Sequence, residues 1–192
     1  PYCDVRKFSI IDGLAANRIS GIAQTPDRLM WFSTWNGISY YDGNSFHTFR
    51  DEADDIDLLS TNRFMDIYAT SRNNVWCITA GRHLYAYETI LCTFVPVGDN
   101  INKLYNIDLR VDKIYPIKHD NTWVTTKSGD YLIRIKGLQR EGNIPELIKV
   151  GQDGLRSGNV WHIWADNKKR EWILTDKGTT IYHHQFSTPI PF

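Results

Sequence analysis

Apolar residues in this chain come in short bursts. Clusters of Gly, Asn, Asp, Ser and Pro separate them, at the eight-to-twelve-residue spacing that marks strands joined by tight turns. Four bursts share one feature: Met30-Trp31-Phe32-Ser33-Thr34, Val75-Trp76-Cys77-Ile78-Thr79, Thr122-Trp123-Val124-Thr125-Thr126 and Glu171-Trp172-Ile173-Leu174-Thr175. Each carries a Trp, and each ends in a Thr three residues later. The tryptophans at 31, 76, 123 and 172 are 45, 47 and 49 residues apart. No stretch beyond a few residues shows helical spacing, so the pattern predicts an all-β chain.

The flanks repeat as well. Asn17-Arg18-Ile19, Asn62-Arg63-Phe64 and Asn159-Val160-Trp161 precede a strand upstream of a Trp, and the third unit places Asp112 there. Downstream, 37–41, 83–87, 130–134 and 180–183 read as a third strand, and 46–49 and 91–94 as a fourth. Turn residues link them: Thr25-Pro26-Asp27-Arg28, Ser71-Arg72-Asn73-Asn74, His119-Asp120-Asn121 and Asp166 to Arg170. Four strands in about 45 residues is the period of a β-propeller blade. The predicted blades cover 12–50, 59–96, 109–150 and 154–188, with looser loops at 51–58, 99–110 and 137–145. A lone four-stranded sheet has two faces to cover, and radial stacking covers them with neighbouring sheets. One Trp per blade would fill the wedge, so Trp76→Ala or Trp123→Ala should cost about 3–5 kcal/mol.

Composition narrows the partners. Lys+Arg and Asp+Glu both number 22, which argues against nucleic acid or an anionic membrane surface. Aromatic residues make up 13% of the chain, in keeping with many packed strands. No apolar run reaches the roughly 18 residues of a membrane-spanning helix. No secretory leader is legible around Asp4, Arg6 and Lys7, and secretion stays open. Of Cys3, Cys77 and Cys92, at least one cannot pair within the chain, and Cys77 beside Trp76 reads as a small core residue.

The residues Asp12-Gly13-Leu14, Asn17-Arg18-Ile19, Leu29 to Thr34, Asn36-Gly37-Ile38 and Tyr41-Asp42-Gly43 resemble the two-component regulator propeller repeat. The other units match it more loosely, and Pro26-Asp27-Arg28-Leu29 stands where the family favours Asp-x-x-Gly. The resemblance implies the periplasmic sensor of a hybrid histidine kinase of gut bacteria, responding to polysaccharide-derived sugars. Such sensors carry two seven-bladed propellers, a β-sandwich, a membrane helix and kinase domains. About four blades are present here, so the resemblance implies a piece of a larger, seven-bladed propeller.

Residues 8–14 parallel 148–155, both ending in Asp-Gly-Leu. Residues 5–11 therefore read as an outer strand that either joins a blade beyond this chain or closes the ring on blade four. Open sheet edges would also suit a homodimer.

Loops entering strand one and hairpins between strands two and three should share a face. Trp35, Asn36, Arg18, Arg63, Arg82, Lys127, Asp176 and Lys177 fall there and form the candidate ligand site. An exposed Trp with Arg and Asn suits a sugar, whose ring stacks on the indole while hydroxyls take hydrogen bonds. Asn17, Asn62 and Asn159 read first as turn caps. The acidic run Asp51, Glu52, Asp54, Asp55 and Asp57 reads as a solvated loop without EF-hand spacing. His183-His184 reads as a surface pair rather than a metal site. Trp161 and Trp164 read as packing residues. No GxSxG, HExxH or P-loop occurs, and Asp66 and Asp108 lack a context that would raise a carboxyl pKa. The sequence thus predicts a sensor without cofactor or metal. The alternatives are a protein-interaction scaffold or a glycan-cleaving propeller.

Overall fold

The computed structural model describes residues 5–50, 61–72, 74–89, 92–117, 121–138 and 144–183. It is built of four antiparallel sheets. The first is β1 (Ile19–Gln24), β2 (Met30–Thr34), β3 (Gly37–Tyr41) and β4 (Phe46–Phe49), adjacent in that order. The second is β5 (Phe64–Ala69), β6 (Val75–Thr79), β7 (Leu84–Glu88) and β8 (Thr93–Val95). After a helix, α1 (Val97–Tyr105), comes the third: β9 (Val111–Ile117), β10 (Asn121–Thr126), β11 (Tyr131–Lys136) and β12 (Glu146–Lys149). The fourth shows β13 (Val160–Ala165), β14 (Glu171–Thr175) and β15 (Gly178–Tyr182). The expected outer strand of this blade falls beyond residue 183, outside the described residues.

The repeated Thr has a local job. Thr34 and Thr175 donate their hydroxyls to the carbonyls of Gly37 (2.8 Å) and Gly178 (3.0 Å), and Thr126 donates to Tyr131 (3.1 Å). In blade two the Thr79 hydroxyl accepts from the His83 N–H at 3.1 Å. The side chain closes the hairpin between strands two and three each time. These hairpins therefore have fixed shape, and the residues on their tips are held in place.

Innermost strands pack in succession, β1 on β5, β5 on β9 and β9 on β13, and no comparable contact joins β13 back to β1. The described sheets form an open arc of blades. Three cores lie between them. Trp31 shares the first with Phe64, Ile67 and Val75, Trp76 the second with Val111, Ile114 and Val124, and Trp123 the third with Ile163, Ile173 and Tyr182. All three tryptophans are at most 1% exposed. The wedge role predicted from the repeat is thus what the structure shows for these three. Cys77 is buried in the first of these cores, and burial pushes its thiol above the usual range.

Two sequence expectations fail. The stretch 99–110 is not all loop, since α1 occupies its first part. Val97, Ile101 and Tyr105 recur every four residues and pack into the second core. Gly98, Asp99, Asn100 and Asn102 between them are poor helix formers, which hid the helix from pattern reading. Gly98 brings the helix close to β7, since a Cβ there would lie 3.1 Å from the Leu84 nitrogen.

Residues 5–11 are not a strand either. Residues 5–9 are irregular and Ile10–Asp12 is a single 3-10 turn. Ser9 and Asp12 cap it reciprocally, and Gly13 follows at φ 104°, so the local polar groups are spent within the turn. Phe8 rests on Tyr41 and Phe46, with ring centroids at 5.0 and 5.3 Å, so the segment covers blade one. The parallel with Asp153-Gly154-Leu155 holds for the turn. Gly154 also has positive φ, and Leu14 and Leu155 are both buried. The loop 51–58 and the acidic run lie outside the described residues.

Candidate functional site

The pairing of strand one with strand two builds one rim. Ile19, Phe64, Val111 and Val160 begin the inner strands opposite Thr34, Thr79, Thr126 and Thr175. The residues just before the inner strands are therefore equivalent: Arg18, Arg63, Arg110 and Asn159. A shared backbone bond confirms the register in three blades. Ala80, Lys127 and Asp176 donate to the carbonyls of Arg63 (2.8 Å), Arg110 (2.8 Å) and Asn159 (3.3 Å). All four lie 13 residues before their Trp. The sequence reading had matched Asn159 to Asn17 and Asn62 and put Asp112 in the third unit, and so it missed Arg110. Equal spacing to the Trp was the signal that could have found it.

Between blades, each hairpin touches the next blade's entry. Gly37 donates to the Asn62 carbonyl at 2.7 Å, and Val111 to the Arg82 carbonyl at 2.9 Å. At the third seam Gly129 faces Gly158, where a Cβ would stand 1.7 Å from the Gly129 oxygen. Only glycine lets these two backbones meet.

The expected site residues separate into two groups. At blades one and two, Trp35 is 47% exposed on its hairpin. The Arg18 guanidinium lies 3.8 Å from the indole centroid and that of Arg63 lies 6.0 Å away, both arginines exposed. Asn36 sits beside Trp35, with its N–H on Thr34 and its carbonyl taken by Arg50 Nε at 3.2 Å. Arg82 is drawn away from them. It donates to the Asp112 carbonyl at 3.3 Å and pairs with the Asp112 carboxylate at 3.5 Å, tying blade two to blade three. Arg110 pairs with Asp108 and donates to the Gly81 carbonyl at 3.1 Å.

At blades three and four, Lys127 borders an open cavity of about 330 Å³, together with Asp112, Thr125, Ser128, Asn159 and Val160 among others. Asp176 and Lys177 occupy the hairpin of blade four. Lys177 is exposed, and the Asp176 Oδ1 is buried without a hydrogen-bond partner among the described residues. Asn17 acts as a turn support, its Oδ1 accepting from Ile10 N at 2.9 Å. No group of three or more His, Cys, Asp and Glu side chains is placed to hold a metal ion among the described residues.

One aromatic surface departs from expectation. Trp161 and Trp164, on the inner strand β13, are 54% and 37% exposed, and so are only partly packed. Trp164 stacks on Trp172 at 5.9 Å, and Trp172 donates its indole N–H to Asp166 at 3.0 Å. That bond, together with those from Arg170 and Lys168, holds the Asp166 carboxyl well below the usual range.

No family model and no curated protein matches the chain. Solved structures do. Two are extracellular domains from B. thetaiotaomicron described as belonging to hybrid two-component systems. One is 20% identical over 90% of this chain and 22% of its own length, with a TM-score of 0.63. The other is 18% identical over 97% and 27%, with a TM-score of 0.61. A streptogramin B lyase is 15% identical over 93% and 56%, with a TM-score of 0.58. At such identities the likeness is one of fold. The chain spans about a quarter of the length of these two extracellular domains.

Proposed function

We propose that this chain is a ligand-sensing part of an extracytoplasmic sensor, and that its rim recognises polysaccharide-derived sugar. In this reading the four blades belong to a larger propeller. The whole protein is anchored in the inner membrane and passes the signal to a histidine kinase. The observation that carries the reading is Trp35, a half-exposed indole on a hairpin fixed by Thr34, with exposed arginines at its side. Indole faces favour sugar rings, and guanidinium donors favour their oxygens. The polar cavity at the third seam offers a second foothold of a size suited to a small ligand. The shared fold with extracellular domains of two-component systems supports the same reading.

The test is calorimetric titration of the chain with a panel of plant and host oligosaccharides, with thermal shift in parallel. A true ligand at about 100 times its Kd raises stability by about 2.7 kcal/mol. Trp35→Ala should weaken that ligand about tenfold or more, and a panel on which no saccharide binds would defeat the reading. One observation favours a second reading, a protein-interaction scaffold: the aromatic flank of Trp161 and Trp164 is the kind of surface that protein partners cover. Capture of a protein partner abolished by Trp161→Ala, with no sugar bound, would establish that reading instead.

A further inference from the structure

We propose that the end of the rim formed by blades one and two selects acidic sugars, with Arg18 and Arg63 binding a carboxylate or a sulfate ester. This rests on the sugar-sensing reading above.

The register supplies the first reason. An arginine recurs immediately before the inner strand in three successive blades, at 18, 63 and 110. Their surroundings differ. Arg110 is matched by Asp108. No carboxylate among the described residues pairs with Arg18 or Arg63. The chain as a whole is balanced in charge, so two guanidiniums unmatched among the described residues beside one indole are a local feature and not part of a general basic field.

Geometry supplies the second. Arg18 lies 3.8 Å from the Trp35 centroid, a stacking distance. Stacking uses the face of the guanidinium and leaves its edge free. The N–H groups on that edge match the two oxygens of a carboxylate or sulfate in a fork. Trp35 therefore holds the Arg18 guanidinium over its ring before the ligand arrives, which lowers the ordering cost of binding. Arg63, at 6.0 Å from the same ring, brings a second cation to the same indole from the next blade. A neutral sugar would have to displace Arg18 from the indole face that it covers, whereas an anionic one uses it in place. A single indole and two cations offer little to a nucleic acid strand, which needs several phosphate contacts and successive stacking platforms.

The experiment titrates the 192-residue chain with matched saccharide pairs. One pair is an oligogalacturonate and its methyl ester; the other is a sulfated oligosaccharide and its desulfated form. The acidic member of at least one pair should bind about tenfold or more tightly, and added salt should weaken it. Which pair discriminates tells carboxylate from sulfate. Arg18→Gln with Arg63→Gln should bring the acidic member down to the affinity of its neutral partner, with an unchanged thermal midpoint because both side chains are exposed. Equal affinity for both members overturns the inference while leaving the sugar-sensing reading intact. So does acidic binding that the double substitution does not weaken. An absence of binding to every saccharide removes both readings. Equally tight binding of a single-stranded oligonucleotide would show an unselective cation patch and also overturn the inference.

Discussion

The buried Glu171 carboxylate joins blades three and four. Replacing it should be among the most damaging single changes in the chain. Glu171 precedes the fourth Trp of the repeat, where blades two and three carry Val75 and Thr122. Its oxygens accept from Arg134 Nε at 2.8 Å, Arg134 Nη2 at 2.7 Å, Trp123 Nε1 at 3.0 Å and Asn121 Nδ2 at 2.9 Å. The Glu171 and Arg134 side chains are only 5% and 9% exposed. Glu171→Ala would strand the guanidinium with the partly exposed Glu146 at 3.9 Å as its remaining ion-pair partner among the described residues. Breaking such a buried pair costs about 3–5 kcal/mol. In a chain of this size 1 kcal/mol moves the midpoint by about 2–4 °C, so a loss of roughly 10 °C is expected. The assay is thermal and urea unfolding of Glu171→Ala, Arg134→Met and the double variant Arg134→Met with Glu171→Leu. The double variant should stand well above the sum of the single losses, because neither charge is then left alone in the seam. Additive losses would show that the two groups are not coupled and would refute the reasoning.

The three wedge tryptophans should differ in their response to Phe. The indole N–H groups of Trp31 and Trp76 are buried without a hydrogen-bond partner among the described residues, whereas Trp123 donates to Glu171. Trp123→Phe should therefore cost about 1–2 kcal/mol more than the other two in urea unfolding; three equal losses would contradict this. Gly158→Ala should lose about 2 kcal/mol or more and reshape the cavity beside it, because the added Cβ meets the Gly129 backbone. A wild-type melting curve for that variant would mean that the seam is looser than described. Alkaline titration should show two classes among the ten tyrosines. Burial, helped by Asp112, pushes Tyr115 up to about 12, and burial first of all raises Tyr68, Tyr87 and Tyr182 further. Folded values above the unfolded value near 10 mean that this stabilisation is full below pH 10. It is lost as pH rises through the folded values. Tyrosinate absorbance from these four rings should rise only above about pH 10, together with unfolding. A single reversible step near pH 10 would refute the assignment.

The architecture was legible because a blade is a local object. Its strands are short apolar bursts between turn residues, and its Trp and Thr return once per unit, so short-range pattern carried the class of fold and the role of Trp31, Trp76 and Trp123. It also placed Trp35, Arg18 and Arg63 on one rim, since strand pairing within a blade brings entry loops beside hairpins. The site was less legible where loop length varied. The Asn-like position of the third unit has a different spacing, and the pairing of Val111 with Thr126 confirms what the constant distance to the Trp also marks, that Arg110 is the counterpart of Arg18 and Arg63.

What the chain settled by itself was therefore the repeat: how many Trp-bearing sheets, which strands, and which side chains close the hairpins. These depend on residues near one another in sequence. The packing between blades settled the rest. It recruits α1 through three residues spaced by four, and folds residues 5–12 onto blade one instead of into a strand. It leaves Trp161 and Trp164 of β13 partly exposed, while Trp31, Trp76 and Trp123 are sealed. And it gives Trp123 a carboxylate partner that Trp31 and Trp76 lack, because what an indole meets is decided by the neighbouring blade and not by its own strand.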